Sequence, residues 1–486
     1  MLDRKGQLLR IRQSVSQDLE ITEIADRAMK SGGPALLFEN VAGHTAPVLI
    51  NAFGSMQRMA WSLGVDDVET IARQIKELLE LKIPEGLAQK AMLLPKLYEL
   101  SRYGPKHVKT GPCQEIVQHD VDLDLLPVSK CWPMDGGRFI TLPLVFTRDL
   151  KTGKRNVGMY RMQIYDKKTT GMHWQIHKVG SKHFQDHQER GKRMEIAVAL
   201  GGDPALTFSA LAPLPEFLDE MLFAGFLRKE PVCMVPCKTV DLEVPADADY
   251  ILEGYVDPLE SRVEGPFGDH TGYYSLEDKY PVFHVTCITQ RRDPIYPHTI
   301  VGRPPMEDGF MGKAVERIFL PFVQNLFPEI VDMNLPIEGI FHNVVLVSIK
   351  KRYPYHARKI AHSLWGMGQL MFSKMIAVFD ADVNIQDPQE VLWLLGNNID
   401  PKRDVFFTEG PLDALNHASD HPNFGSKMGI DATAKWKEEG FNRPWPPLIT
   451  MDKAVKEKID AMFPDLAERF RNPLAPSGER DGVRGR

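Results

Sequence analysis

Two textures divide the chain, and no single core serves both. From about Cys113 to Arg303 short runs rich in Val, Ile, Phe, Tyr and Thr recur between Gly and Pro clusters, as in 139–146, 157–165 and 282–290. Such runs read as strands of a barrel or sandwich. After Pro304-Pro305 the pattern alternates: strands over 343–349, 375–379 and 405–408 are separated by helices over 357–371 and 388–395. Alternation of this kind predicts a parallel sheet. The N-terminal stretch mixes both, with a strand over 46–51 and helical spacing over 68–82. A length of 486 residues supports division into domains, because single cores stop growing at roughly 250–300 residues.

The expectation is an α/β (α+β) chain: an N-terminal α/β domain over 1–112, a central β domain over 113–325, a C-terminal α/β domain over 326–470 and a disordered tail over 471–486. Within the β region, 215–227 reads as a helix with Phe217, Met221 and Ala224 on one face and Glu216 and Glu220 on another. A last helical stretch over 451–470 carries Val455, Ile459, Met462, Phe463 and Leu466 and is interrupted by Pro464. Its apolar stripe suits packing either on a partner subunit or on its own domain.

Charge and cysteine usage exclude several function classes. Lys and Arg total 59 against 65 Asp and Glu, a net charge of −6, which is no footprint for nucleic acid. Five cysteines, few and odd in number, argue for a reducing compartment and a cytoplasmic protein. The charged N-terminus lacks the apolar stretch of a secretory signal. No apolar run approaches the roughly 20 residues needed to cross a bilayer, so membrane contact would be peripheral.

G-x-G-x-x-G, Walker A, H-E-x-x-H and G-x-S-x-G signatures are all absent, which takes weight from standard nucleotide and hydrolase readings. Cys233 and Cys237 have no second thiol pair at zinc spacing and read as small residues of a strand. Two polar clusters remain. In Glu264-Gly-Pro-Phe-Gly-Asp-His-Thr-Gly-Tyr-Tyr274 the Gly and Pro residues force a turn that can bring Glu264 and Asp269 together. Convergent carboxylates shift each other's pKa, which is one way to make a proton donor near neutrality. Taken alone, a solvated Gly-Pro turn is as good an account. The second cluster is Asn156-Val-Gly-Met-Tyr-Arg161 with Met172-His-Trp-Gln-Ile-His-Lys178. Strand alternation would put His173, Gln175 and His177 on one face. Asn156, His173 and Glu220 would suit Mn²⁺ or Mg²⁺ better than Zn²⁺, although spacing alone says little.

Six segments in fixed order resemble the UbiD-type reversible aromatic acid decarboxylases: Asn156-Val-Gly-Met-Tyr-Arg161, Ala199-Leu-Gly-Gly-Asp-Pro204, Asp241-Leu-Glu-Val-Pro-Ala246, the segment Glu264 to Tyr274 quoted above, Gly302-Arg-Pro-Pro305 and Gly425-Ser-Lys-Met-Gly-Ile-Asp-Ala-Thr433. The resemblance runs from about Glu39 to Trp436. It implies a lyase that uses prenylated FMN, held through Mn²⁺ and K⁺, to remove CO₂ from unsaturated or aromatic acids. It implies metal ligands at Asn156, His173 and Glu220, and flavin contacts at Met159, Tyr160, Arg161, His173, Trp174, Gln175, Lys178 and Val179, with Lys427 at the cofactor phosphate. The family's catalytic triad falls on Arg161, Glu264 and Asp269. Aspartate at the last position is what relatives acting on hydroxybenzoates carry.

The architecture implied is a central split β-barrel of flavin-reductase-like type between two α/β domains, with a terminal helix supporting a homo-oligomer, dimer or hexamer. A flavin prenyltransferase would supply the cofactor. Among substrates, 3-polyprenyl-4-hydroxybenzoate of ubiquinone synthesis leads; a dihydroxynaphthoate of menaquinone synthesis or a catabolic phenolic acid are alternatives. A flavin oxidoreductase, a non-catalytic flavin-binding module and an Mn²⁺-dependent hydrolase stay open as other classes. Redox use of a flavin needs no pair of carboxylates converging on Arg161.

Overall fold

A long antiparallel hairpin, Tyr250–Glu264 with Asp278–Gln290, forms the middle of the computed structural model. The structure describes residues 1–80, 98, 100–215, 218–466 and 470. Around the hairpin the sheet runs in the order Thr169–Gly171, Asp278–Gln290, Tyr250–Glu264, Met194–Leu200, Leu144–Arg148, Arg155–Met159, with Ile116–Gln118 also on Asp278–Gln290. Among the described residues the ladder does not close into a full barrel. The run 139–146 is two strands, Phe139–Ile140 and Leu144–Arg148, because Pro143 cannot donate to a ladder. The run 157–165 likewise divides into Arg155–Met159 and Met162–Gln163.

The N-terminal segment builds a second sheet in the order Leu8–Ile11, Ala35–Phe38, Val48–Ile50, Tyr296–Pro297. Its last strand comes from the chain just after the central hairpin. One apolar cluster accordingly joins Ile21, Ala25, Leu36 and Val48 to Val145, Ile196, Leu252 and Phe283. The expected helix over 68–82 is Glu69–Leu79, and Ile71 and Ile75 pack in a further cluster with Phe208, Phe223 and Ile318. Ile318 belongs to Glu307–Leu326, a 20-residue helix that contains Pro321 and that the sequence pattern did not reveal.

Five strands make the third sheet, in the order Ile330–Asn334, Val344–Ile349, Met375–Asp380, Phe424–Asp431, Val405–Pro411. The expectation of a parallel sheet holds for the middle three; both edge strands are antiparallel. The reason is connection length: 335–343 and 412–423 carry no α-helix to cross over, and a parallel return needs a dozen or so residues, usually helical. The helix expected over 357–371 is His356–Trp365, stopped at Gly366 and followed by a 3₁₀ turn, Gly368–Phe372.

The helix expected over 215–227 begins only at Glu220, where Asp219 caps it by accepting from Met221 N (2.7 Å) and Leu222 N (3.1 Å). Glu220 therefore sits at a helix N-terminus rather than on a helix face; Glu216 and Phe217 lie outside the described residues. These elements belong to one unit, Met1–Ala434; a second unit begins at Lys435. The second unit contains a helix, Lys453–Met462, that leaves Val455, Ile459, Met462 and Phe463 exposed. It ends before Pro464 because a residue preceding proline is pushed out of the helical region. The expected tail over 471–486 lies outside the described residues. Among the described residues no helix is long and apolar enough to cross a membrane.

Candidate active site

Glu264 ends one strand of the central hairpin, and the connection to Asp278 is turned back on itself by bonds that depend on its glycines. Gly265 N donates to Gln163 Oε1 (2.7 Å), and Gly268 N donates to Asp135 Oδ1 (2.8 Å). Asp135 Oδ2 in turn accepts from Trp132 N at 2.8 Å and Cys131 N at 3.1 Å. A side chain at Gly268 would run into the Trp132 ring, so glycine is required for this approach. The turn expected from sequence thus forms, and it brings Asp269 back beside Glu264.

Arg161 follows the strand Arg155–Met159 and meets both acids. Its Nε and Nη2 lie 2.9 and 2.8 Å from Glu264 Oε1, its Nη1 donates to Asp269 Oδ2, and its Nη2 also reaches Ser275 Oγ at 3.3 Å. The guanidinium lies 4.8 Å from the Phe267 ring centroid. The three side chains are 11, 1 and 7 % exposed for Arg161, Glu264 and Asp269. Burial works to raise the Glu264 carboxyl, but Arg161 and His173 overcome it and hold it below the ordinary range. Burial opposes ionisation of Asp269 too, and there Arg161 and His270 hold it far below that range. Both are anions clasped by one cation, and Glu264 Oε2 is left buried without a partner.

His173 joins this cluster: its Nδ1 is 2.8 Å from Glu264 Oε1 and its ring is 4.2 Å from that of Tyr280. The shared face expected for His173, Gln175 and His177 does not exist, because the strand ends at Gly171 and the chain then turns. His177 packs against Phe372 instead, at 5.4 Å between centroids. Of the residues expected to hold metal, Asn156 and Glu220 both lie close to the Tyr160 side chain, whereas His173 spends Nδ1 on Glu264. Among the described residues no group of three or more His, Cys, Asp and Glu is arranged for a metal ion.

The residues expected to hold flavin divide similarly. Tyr160 and Trp174 are buried, Met159 is half-buried, and Lys178 and Val179 begin the helix Val179–Glu189. Gly180 N donates to the Tyr160 hydroxyl at 3.3 Å. A Cβ at Gly180 would stand 2.8 Å from Trp174 Nε1 and 3.1 Å from that hydroxyl, so only glycine leaves this corner open. Asn156 Nδ2 and Trp174 Nε1 are buried without partners, and burial pushes the Glu220 carboxyl up to about 7. Unpaired donors beside a helix N-terminus and a desolvated carboxylate fit a phosphate held with a cation. Trp174 and Gln175 also line a cavity of about 350 Å³ together with Tyr280, Phe184 and Phe372. Lys427 donates its ammonium to Met371 O (2.6 Å) and Ser373 O (2.8 Å), on either side of Phe372 in the wall of that cavity, and burial lowers it to about 8.

Ser275, Phe267, Tyr280 and His270 complete the surroundings of the triad and were given no role by the sequence reading. His270 stands in the polar segment quoted above, so its position was visible and its partner was not.

Comparison with known proteins agrees along the chain. Three family models match, described as the 3-octaprenyl-4-hydroxybenzoate carboxy-lyase N-terminal domain (residues 1–78), Rift-related domain (106–304) and C-terminal domain (309–432). A protein of Archaeoglobus fulgidus is 50 % identical over 467 residues, 96 % of each chain. Vanillic acid decarboxylase of Sedimentibacter hydroxybenzoicus, in closed form, superposes with a TM-score of 0.83 at 27 % identity, covering 95 % of this chain and 97 % of the other. An evolved dimeric form of the UbiD-class enzyme HmfF of Pelotomaculum thermopropionicum, in complex with prenylated FMN, gives 0.75 at 28 % identity, covering 94 % and 97 %. From the three domain models in order and the shared length of these relatives, the chain belongs to the UbiD family of carboxy-lyases.

Proposed function

We propose that the chain removes CO₂ from an aromatic, phenolic carboxylic acid with prenylated FMN, Mn²⁺ and K⁺. The observation that carries this reading is the sealed clasp of Arg161 by Glu264 and Asp269, a carboxylate-binding cation beside a group that can relay a proton. Arg161 binds the substrate carboxylate, since a planar guanidinium pairs two-pronged with one. Glu264 holds Nε and so sets the plane of the guanidinium. Asp269 passes a proton to the ring carbon that CO₂ leaves. Tyr160, Trp174 and the helix beginning at Lys178 and Val179 would hold the flavin phosphate, with Asn156 and Glu220 on the divalent ion. When bound, the prenylated flavin supplies an electrophilic centre for electrons that an aryl carbanion could not keep.

Several finer features go with this reading. The substrate favoured is 3-polyprenyl-4-hydroxybenzoate, in keeping with the description of the family models. Similarity to a vanillic acid decarboxylase supports a second reading, a single-ring phenolic acid. The chain works as an N-terminal domain, a central split-barrel domain carrying the flavin and a C-terminal domain, in a cytoplasmic homo-oligomer supplied by a flavin prenyltransferase. The test is CO₂ release from a panel of phenolic acids, with and without a polyprenyl chain, by protein co-expressed with a flavin prenyltransferase. No release from any acid by flavin-loaded protein would overturn the reading.

A further inference from the structure

The clasp poses a problem for proton delivery. Asp269 Oδ2 accepts from Arg161 Nη1, and Oδ1 faces His270 twice, through the backbone N at 2.7 Å and ring Nδ1 at 2.8 Å. A carboxylate with a cation at one oxygen and two donors at the other has no proton of its own to give. The neighbouring imidazole does. His270 stacks on Phe341 at 5.3 Å, and its Nε2 is buried without a partner. Beyond it lies His342, 5.2 Å away between ring centroids, and His342 Nε2 is 3.9 Å from Asp413 Oδ2. Asp413 is on the wall of the 350 Å³ cavity. Titratable groups therefore run in a row from the clasp to a cavity: Asp269, His270, His342, Asp413.

We propose that His270 stores the proton consumed in each turnover and passes it to Asp269, and that His342 and Asp413 refill it from the cavity. This rests on the decarboxylase reading above. Loss of CO₂ from a carboxylate leaves the bonding electron pair on the ring carbon, and one proton must be added there: RCOO⁻ + H⁺ gives RH and CO₂. The proton leaves His270 Nδ1 for Asp269, and Asp269 gives it to the carbon. His270 is left neutral with its remaining proton on Nε2; the ring then turns about its Cβ–Cγ bond, and the vacant Nδ1 is recharged through His342 and Asp413 before it returns to Asp269.

The trigger is built into the clasp. A substrate carboxylate on Arg161 competes with Asp269 for Nη1, and an aspartate that loses its cation becomes more basic. Proton transfer from His270 then follows substrate binding rather than preceding it. The charged and titratable groups facing His270 agree with storage of a proton there. Burial disfavours its imidazolium, yet Asp269, with Asp308 and Asp413 from other elements, overcomes this and raises its pKa. Burial, helped by the charges of His270 and Lys178 against that of Asp413, lowers His342 to about 4, so it is neutral at rest and able to pass a proton without trapping it. His270 acts through Asp269 and is a positioning and proton-holding residue.

Two measurements test the proposal. In the flavin-loaded enzyme, His270→Gln should lower kcat by about 10²-fold or more, the usual worth of a general acid path, with KM within about threefold. The wild-type kcat should fall as pH rises through the His270 pKa, and the variant should lose that limb and regain rate with added imidazole. A merely structural role would move neither the limb nor the imidazole response. Wild-type kcat in the variant across pH 6–9 would overturn the proposal. Independently of turnover, histidine C2 hydrogen–deuterium exchange read by mass spectrometry reports the titration of His270 in the wild type and in Asp269→Asn. It should lie above the ordinary histidine value in the first and fall in the second; an identical titration in both would overturn the proposal. Absence of CO₂ release by the wild type, with the His270 titration still moved by Asp269→Asn, would instead overturn the decarboxylase reading and leave the coupled pair standing.

Discussion

Replacing Arg161 by methionine keeps much of the side-chain volume and removes the cation between two sealed acids. Glu264 and Asp269 are 1 and 7 % exposed, so water cannot take over the guanidinium's contacts. Breaking a buried ion pair from one side typically costs about 3–5 kcal/mol. The pH dependence has a definite sign. In the wild type both carboxyls are held below their ordinary range, so their contribution is full above about pH 4 and is lost only as pH falls through the lowered folded values.

His270, raised by Asp269, works the other way: its contribution is full below its unfolded value and fades as pH rises through the folded one. In Arg161→Met a proton on Glu264 replaces the missing charge. The folded variant then binds more protons than the folded wild type. For one proton, the gap between the two proteins narrows by about 1.4 kcal/mol for each pH unit descended. A penalty of about 3–5 kcal/mol at pH 8 should therefore shrink by up to about 2.7 kcal/mol at pH 6. Thermal melts of both proteins by near-ultraviolet circular dichroism at pH 6, 7 and 8 measure the gap. An equal gap at pH 6 and pH 8 would refute the account of a buried, mutually ionised clasp.

Asp269→Asn should keep its flavin but lose turnover by about 10²- to 10⁴-fold, because the amide keeps the shape and cannot relay a proton; near-normal CO₂ release would sink that role. Glu220→Ala should lose Mn²⁺ and flavin together, read by elemental analysis and flavin absorbance, since a phosphate held through a metal loosens when a charged ligand goes. Retention of both at full level would reduce Glu220 to a helix-terminal carboxylate. Gly180→Ala should lower the melting temperature somewhat and flavin occupancy several-fold, as its Cβ would stand 2.8 Å from Trp174 Nε1 and force that buried ring to shift. Full occupancy in that variant would show that the flavin does not use this corner.

Local signals in the sequence located most elements and the acidic half of the site. Strands at 344–349 and 375–380 stand where apolar β-type runs are bounded by turn residues, and the helix Glu69–Leu79 follows its 3.6-residue spacing. Glu264 and Asp269 converge because three glycine and proline residues between them leave the backbone little choice but to turn. What stayed hidden depends on tertiary partners. The helix Glu307–Leu326 buries Glu307 and Glu316 and contains Pro321, which blurs its amphipathic pattern. Nothing local tells that Asn51 N, Phe53 N and Thr299 Oγ1 satisfy Glu307. His173 was read as one of a polar strand face, but its partner Glu264 is 91 residues away. His270, His342 and Asp413 come from three separate segments, and only the packed chain aligns them.

The strand Tyr296–Pro297 closes the N-terminal sheet against Val48–Ile50, with Tyr296 N donating to Pro47 O and His298 N to Leu49 O, both at 2.9 Å. On the ribosome this closure arrives late. Roughly 250 residues separate the two strands, and at about 5–20 residues per second their synthesis takes on the order of 12–50 s. Throughout that interval Val48–Ile50 is an open edge, a template to which other nascent chains could add. A holdase that masks residues 48–50 until residue 298 emerges would raise the yield of folded protein, and slower translation would make the chain depend on it more.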